Sequence, residues 1–106
     1  MDIDREFSRL VAIELVSEGK RRGVTQKQIA AAAGIGAPQL SYYVAGVRGL
    51  LTVGTLVRAA ERLGINPETI VERAYAALTE MSKADVMLAA SDADIDAEVE
   101  AQQEEP

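Results

Sequence analysis

Apolar residues recur along this chain at helical spacing in five stretches, most of them bounded by a capping residue or a glycine. Residues 3–22 lack proline and carry Phe7, Leu10, Val11, Leu15 and Val16, which predicts a first helix ending near Gly19 or Gly23. Thr25 opens the second. Its hydroxyl can accept a backbone N–H three residues on, where Gln28 can reach back, forming a T-x-x-Q capping box. From Gln26 to Ala33 the helix is short and alanine-rich; Ile29 is expected to face inward, and Ala30 permits close approach of a neighbour. Gly34 ends it where the chain must turn left-handed.

A third helix is expected from Ala37 to Ala45, with Pro38 tolerated in the first turn and Gly46 as the stop. Leu40, Tyr43 and Val44 are assigned to its inner face. Tyr42 and Tyr43 are adjacent and cannot both face the core, so Tyr42 is assigned outward. Val47–Leu51 reads as a loop. Thr52 then caps a fourth helix containing Leu56, Val57, Ala60 and Leu63, which stops at Gly64. Asn66-Pro67-Glu68 opens a fifth, with Ile70, Val71, Ala74 and Leu78 at helical spacing. The pattern weakens after Ser82, although Val86–Ala90 can continue a helix. From Ser91 onward the segment is acidic, has few large apolar residues and is expected to be disordered. The chain is therefore read as all-α, with a helical domain over 1–79 and an acidic tail or helical extension over 80–106.

Composition narrows the chemistry. A length of 106 residues, 48% of them hydrophobic, supports one domain with a modest core. There is no cysteine and no histidine, so disulfides, zinc sites built on those residues and histidine-based triads are excluded. Asp92-Ala93-Asp94-Ile95-Asp96 has the start of a calcium loop, but Ala97 and Gln103 stand where that loop needs glycine and glutamate. No phosphate-cradling glycine loop and no activated nucleophile can be named, so no catalysis, metal or cofactor is expected. Without a bilayer-length apolar stretch or a basic leader, the protein is expected in the cytoplasm.

Charge changes the picture more. The net charge is −6, yet residues 1–79 hold ten basic and eight acidic side chains, and residues 80–106 hold one lysine and nine acids. Between Gly19 and Ala60 lie Lys20, Arg21, Arg22, Lys27, Arg48 and Arg58, with no Asp or Glu. Such a basic window fits the electrostatic footprint of a nucleic-acid binder and equally a small domain with one basic face, while Arg58 and Arg62 are assigned to a solvated face, paired with Glu61 or with acids of the fifth helix.

In order and spacing, Thr25-Gln26, Ile29-Ala30, Gly34, Leu40, Gly46, Leu56 and Leu63-Gly64-Ile65 resemble the phage-repressor (lambda repressor/Cro, XRE-type) helix-turn-helix family, over roughly residues 24–73. The resemblance implies a compact five-helix lambda-repressor-like domain whose third helix enters the DNA major groove. It places Ala37, Pro38, Gln39, Ser41 and Tyr42 at base edges, and Gln26, Lys27, Arg48, Arg21 and Arg22 at phosphates. Gln39 can offer a bidentate amide to adenine; Ala37, Pro38 and the Tyr42 ring can meet thymine methyls. Two departures matter. Ala37-Pro38 stands where the family often has Gln, Ser or Arg, and Val44-Ala45 replaces a frequent Glu-Asn. Readout should then rest more on methyl contacts and DNA shape.

The reading that follows is a sequence-specific regulator, a repressor acting as a homodimer on palindromic double-stranded DNA. Its rival is a protein-interaction module, such as an antitoxin whose acidic tail, residues 80–106, binds a basic protein partner. Leu78, Met81 and Leu88 are spaced to extend the fifth helix into a dimer seam.

Overall fold

The computed structural model describes the backbone of residues 2–97 and the side chains of residues 2–83. Five helices follow one another: α1 (Ile3–Arg21), α2 (Gln26–Ala33), α3 (Ala37–Ala45), α4 (Val53–Leu63) and α5 (Pro67–Ala97). No strand occurs among the described residues. The acidic tail beyond Ala97, and the Leu88 side chain placed in a dimer seam, lie outside the described residues.

Local chemistry explains the boundaries. The Asp2 carboxylate accepts the Arg5 backbone N–H and starts α1. Thr25 and Gln28 form the expected reciprocal box at the start of α2, with bonds of 3.1 and 2.9 Å. The Thr52 hydroxyl accepts the Thr55 N–H, and the Asn66 side chain accepts the Glu68 N–H. Gly34 sits at φ 76°, the left-handed region that glycine enters without a Cβ penalty, and its N–H returns to the last carbonyls of α2. α5 is longer than the apolar pattern announces: its 31 residues remain helical past Ser82, where the spacing of large apolar residues fades.

α1 is the spine, packing against α5, α3 and α2, while α4 packs mainly against α2. Leu15, Ile29, Leu40 and Ile70 are the largest fully buried side chains and come from four different helices. Around them lie Leu10, Val11, Val16, Ala30, Leu56, Ala60 and Ala74. Gly19 lies inside α1, buried, and is not merely a terminator: a Cβ there would come within 2.5 Å of Ile29 Cδ1, so the close approach of α1 and α2 depends on its absence. The buried Ser8 hydroxyl accepts the Leu51 N–H at 2.7 Å and ties the loop after α3 to α1.

Leu40 is the one buried residue of α3. Leu40→Ala should therefore lower the unfolding free energy by about 3 kcal/mol, the cost of deleting a buried leucine. Urea denaturation measures this, and a loss below about 1 kcal/mol would show that α3 is held by something else.

Candidate nucleic-acid interface

Helix α3 begins at Gly36, which has no side chain to cap it, and Pro38 occupies the first turn. Leu40 and, in part, Ala37 and Val44 face the core, leaving Pro38, Ser41 and Ala45 exposed on the other side. Tyr43 does not reach the buried core as expected. Both tyrosines are half-buried, because a nine-residue helix anchored at Leu40 leaves its neighbours on the flanks. Tyr43 leans toward Gly49 of the following loop, and the Tyr42 ring lies under the Arg48 guanidinium, 4.7 Å from its centroid.

Polar contacts join this surface together. The Gln26 amide, at the first position of α2, donates to Ser41 Oγ at 3.2 Å. Gln39 Nε2 donates to the Arg48 carbonyl at 3.4 Å, linking the recognition candidate to the loop that carries the cation. Gln26 is thus paired with Ser41, while Gln39 and Tyr42 each meet Arg48, and all five are at least partly exposed. Lys27 is exposed beside Gln26, and neither Lys27 nor Arg48 has an acidic partner among the described residues.

Arg21 and Arg22 are differently placed. Both bond Glu18, at 2.7 and 3.1 Å, and Arg73 from α5 bonds the same carboxylate at 2.8 Å. Arg22 also donates to the Gly64 carbonyl. Among the described residues no hydrogen bond or ion pair connects either arginine to the α3 surface; Arg22 ties the end of α1 to the α4–α5 turn, and Arg73 ties α5 to Glu18 of α1. Hydrogen bonds from the three guanidinium groups, that of Arg73 foremost, hold the Glu18 carboxyl at about 2, well below its ordinary 4.5.

Three arginines have roles that the sequence did not disclose. Among the described residues Arg58 and Arg62 are not paired with acids. They donate to the carbonyls of Ala33 and Ala32 at 2.9 and 3.1 Å, placing positive charge at the C-terminal end of α2 beside the Gly34 turn. Arg5 reaches the Gly46 carbonyl at the end of α3, next to Arg9, which is paired with Glu6. The only advance signal is that these cations lie on one side of α4 and α1; their targets are distant in sequence.

A capped helix, a left-handed glycine turn and a second helix presenting an open polar face constitute a helix-turn-helix domain. The family comparison agrees: the helix-turn-helix family model matches residues 20–70. That segment belongs to the XRE-type, lambda-repressor-like helix-turn-helix family of DNA-binding transcription regulators. No curated protein and no solved structure gives a match to the chain. Among the described residues no cluster of acids is arranged to hold a metal, and no helix is long and apolar enough to cross a membrane.

The Glu18 hub has a pH signature. Its carboxyl is held below its unfolded value, so its contribution to stability is complete above about pH 5 and disappears as pH falls through about 2. The melting-temperature gap between wild type and Glu18→Gln should be constant near neutrality and close over that acid window. A gap that persists unchanged at pH 2 would show that the ion pairs are not its source.

Proposed function

We propose that this protein is a sequence-specific transcriptional repressor that works in the cytoplasm and binds a palindromic operator as a homodimer, with α3 in the major groove. The observation that carries the reading is the partly exposed surface on and beside α3, where Gln26 bonds Ser41 and Arg48 meets both Gln39 and Tyr42, in a stretch of chain, Gly19 to Ala60, containing no acidic residue.

Each member has a chemical role. Gln39 retains its amide oxygen and one N–H for a base edge while its other N–H holds the Arg48 loop. Pro38, Ala37 and the edge of Tyr42 offer apolar contact to thymine methyls, with Ala37 the most restricted because it also packs on the core. Ser41 and Gln26 act as a pair, the glutamine reaching a phosphate from the positive end of α2. Lys27 and Arg48 neutralise phosphates, giving affinity without sequence information. Arg21 and Arg22 join them only as a second rank, through charge that Glu18 already partly offsets. One such domain covers little DNA, so two copies on half-sites about one helical turn apart supply the tightness and the occlusion of polymerase. Residues 1–79 form the DNA-binding unit and residues 80–106 an acidic extension.

Binding to mixed genomic DNA across a salt series tests the class: affinity should fall steeply with salt, and absence of binding even at low salt would exclude it. Fragments selected from random DNA should then show two-fold symmetry. On the selected site, Gln39→Ala should cost about 1–3 kcal/mol and relax preference at one base pair. Lys27→Ala should weaken all sequences alike and reduce the salt slope by about 1. An unchanged binding motif with Gln39→Ala would remove the readout assignment.

A further inference from the structure

Large apolar side chains face solvent at Ile3, Leu50, Val53, Val71 and Tyr75, with Val53 77% and Tyr75 64% exposed. They line two depressions that share Val53, Leu56 and Val71, so they form one stripe. Its half between α4 and α5 is built as a groove. Val53 and Val57 stand one turn apart on α4; Pro67, Val71 and Tyr75 stand one turn apart on α5; Leu56, buried, lines the same depression. Glu68 and Glu72 also line the groove, again one turn apart on α5, and Asp4 lines the adjoining depression. No lysine or arginine lines either one. None of the three acids has an ion-pair partner among the described residues.

We infer that this groove docks an amphipathic helix of another protein, one whose apolar row is flanked by lysine or arginine. Charge names the occupant. A second copy of the chain would set Asp4, Glu68 and Glu72 against the same acids. Residues 80–106, with nine acids and one lysine, are of the wrong sign as well. A small molecule would stay largely in water, because Val53 and Tyr75 are mostly exposed and enclose nothing. Asp4 and Glu68 also favour the positive ends of their own helices, but each carries a full charge against about half a charge there, and Glu72 lies beyond the first turn of α5.

The spacing fits a helix laid in a groove, which anchors itself through apolar side chains three, four and seven residues apart. Cations four apart on that helix meet Glu68 and Glu72, which are themselves four apart. The exposed apolar area is on the order of 500 Å², the size of a monomer's largest patch. Covering it buries about 1,000 Å² in all, the low end of specific interfaces, so the contact is a transient one. Salt weakens it by screening the acids, while the apolar contact remains. The groove shares no residue with the α3 surface, so a helix seated in it leaves that surface free, and the inference does not depend on the DNA reading.

The probe is a fluorescent synthetic helix of about 18 residues, or five turns, with leucines along one face and lysines beside them. Its control has the same residues in an order that scatters the leucines, because the acids of residues 80–106 attract any cationic peptide. Anisotropy titrations with the full chain at about 50 mM salt should show the patterned peptide binding at least tenfold more tightly than the scattered one. Val53→Ser with Tyr75→Ser should weaken it at least fivefold; both side chains are mostly exposed, and an unchanged melting curve would confirm that the fold is kept. Glu68→Gln with Glu72→Gln should weaken it several-fold and flatten its salt dependence, whereas Glu61→Gln, an exposed acid of α4 outside the groove, should change nothing. Equal binding of the two peptides, or no binding of either, overturns the proposal. So does binding indifferent to the groove substitutions, and so does sedimentation showing that the chain pairs with itself through Val53 and Tyr75.

Discussion

A nine-residue helix has no stability of its own in water, because the cost of nucleating it outweighs the few hydrogen bonds it can form. Whatever α3 presents to a partner, it presents because tertiary contacts hold it in place. Those contacts are few. Leu40 fills the junction with α1 and α2, Ala37 and Val44 pack at its margins, and Arg5 reaches the carbonyl of Gly46 just after it. The glycines at either end set where the helix enters and leaves. This economy is what frees the opposite face: a helix buried on two sides would have no polar row to offer.

Electrostatics is partitioned with the same economy. The domain holds many arginines, but most are committed within the protein. Arg21, Arg22 and Arg73 converge on Glu18; Arg58 and Arg62 meet the C-terminal carbonyls of α2; Arg9 is paired with Glu6. Two cations near α3, Lys27 and Arg48, have no acidic partner among the described residues. A count of basic residues in the sequence therefore overstates the charge left free of partners within the domain. The committed arginines matter indirectly, since they lock the relative positions of α1, α2, α4 and α5 around the turn.

Much of this was legible in the sequence because it is local. Thr25 with Gln28, Gly34, Pro38, Gly46, Thr52 and Asn66-Pro67 act within four residues of themselves, and each boundary falls where its chemistry puts it. What was not legible is long-range. Nothing within α4 says that Arg58 and Arg62 will find carbonyls some thirty residues earlier rather than a neighbouring Glu61. Nor does the Tyr42-Tyr43 pair reveal that a short helix anchored at one leucine leaves both rings half-buried, one under Arg48 and one against Gly49. Gly19 read as a stop because glycine usually is one; its actual role, making room for Ile29, depends on a contact between helices.

The leading edge of α3 is chemically modest, and that bears on how the protein can achieve selectivity. Ala37 and Pro38 offer no hydrogen bond to a base edge, and Gln39 has one of its two N–H groups engaged by the Arg48 carbonyl. On the proposed major-groove reading, a single copy reads few bases directly, and its affinity leans on phosphates that every sequence shares. Discrimination must come from elsewhere. On the proposed reading, two copies on one palindromic site raise the selectivity of each, because both half-sites must match before the second contact forms at high effective concentration. The plainness of α3 is then what a paired reader tolerates: neither copy has to distinguish the site alone.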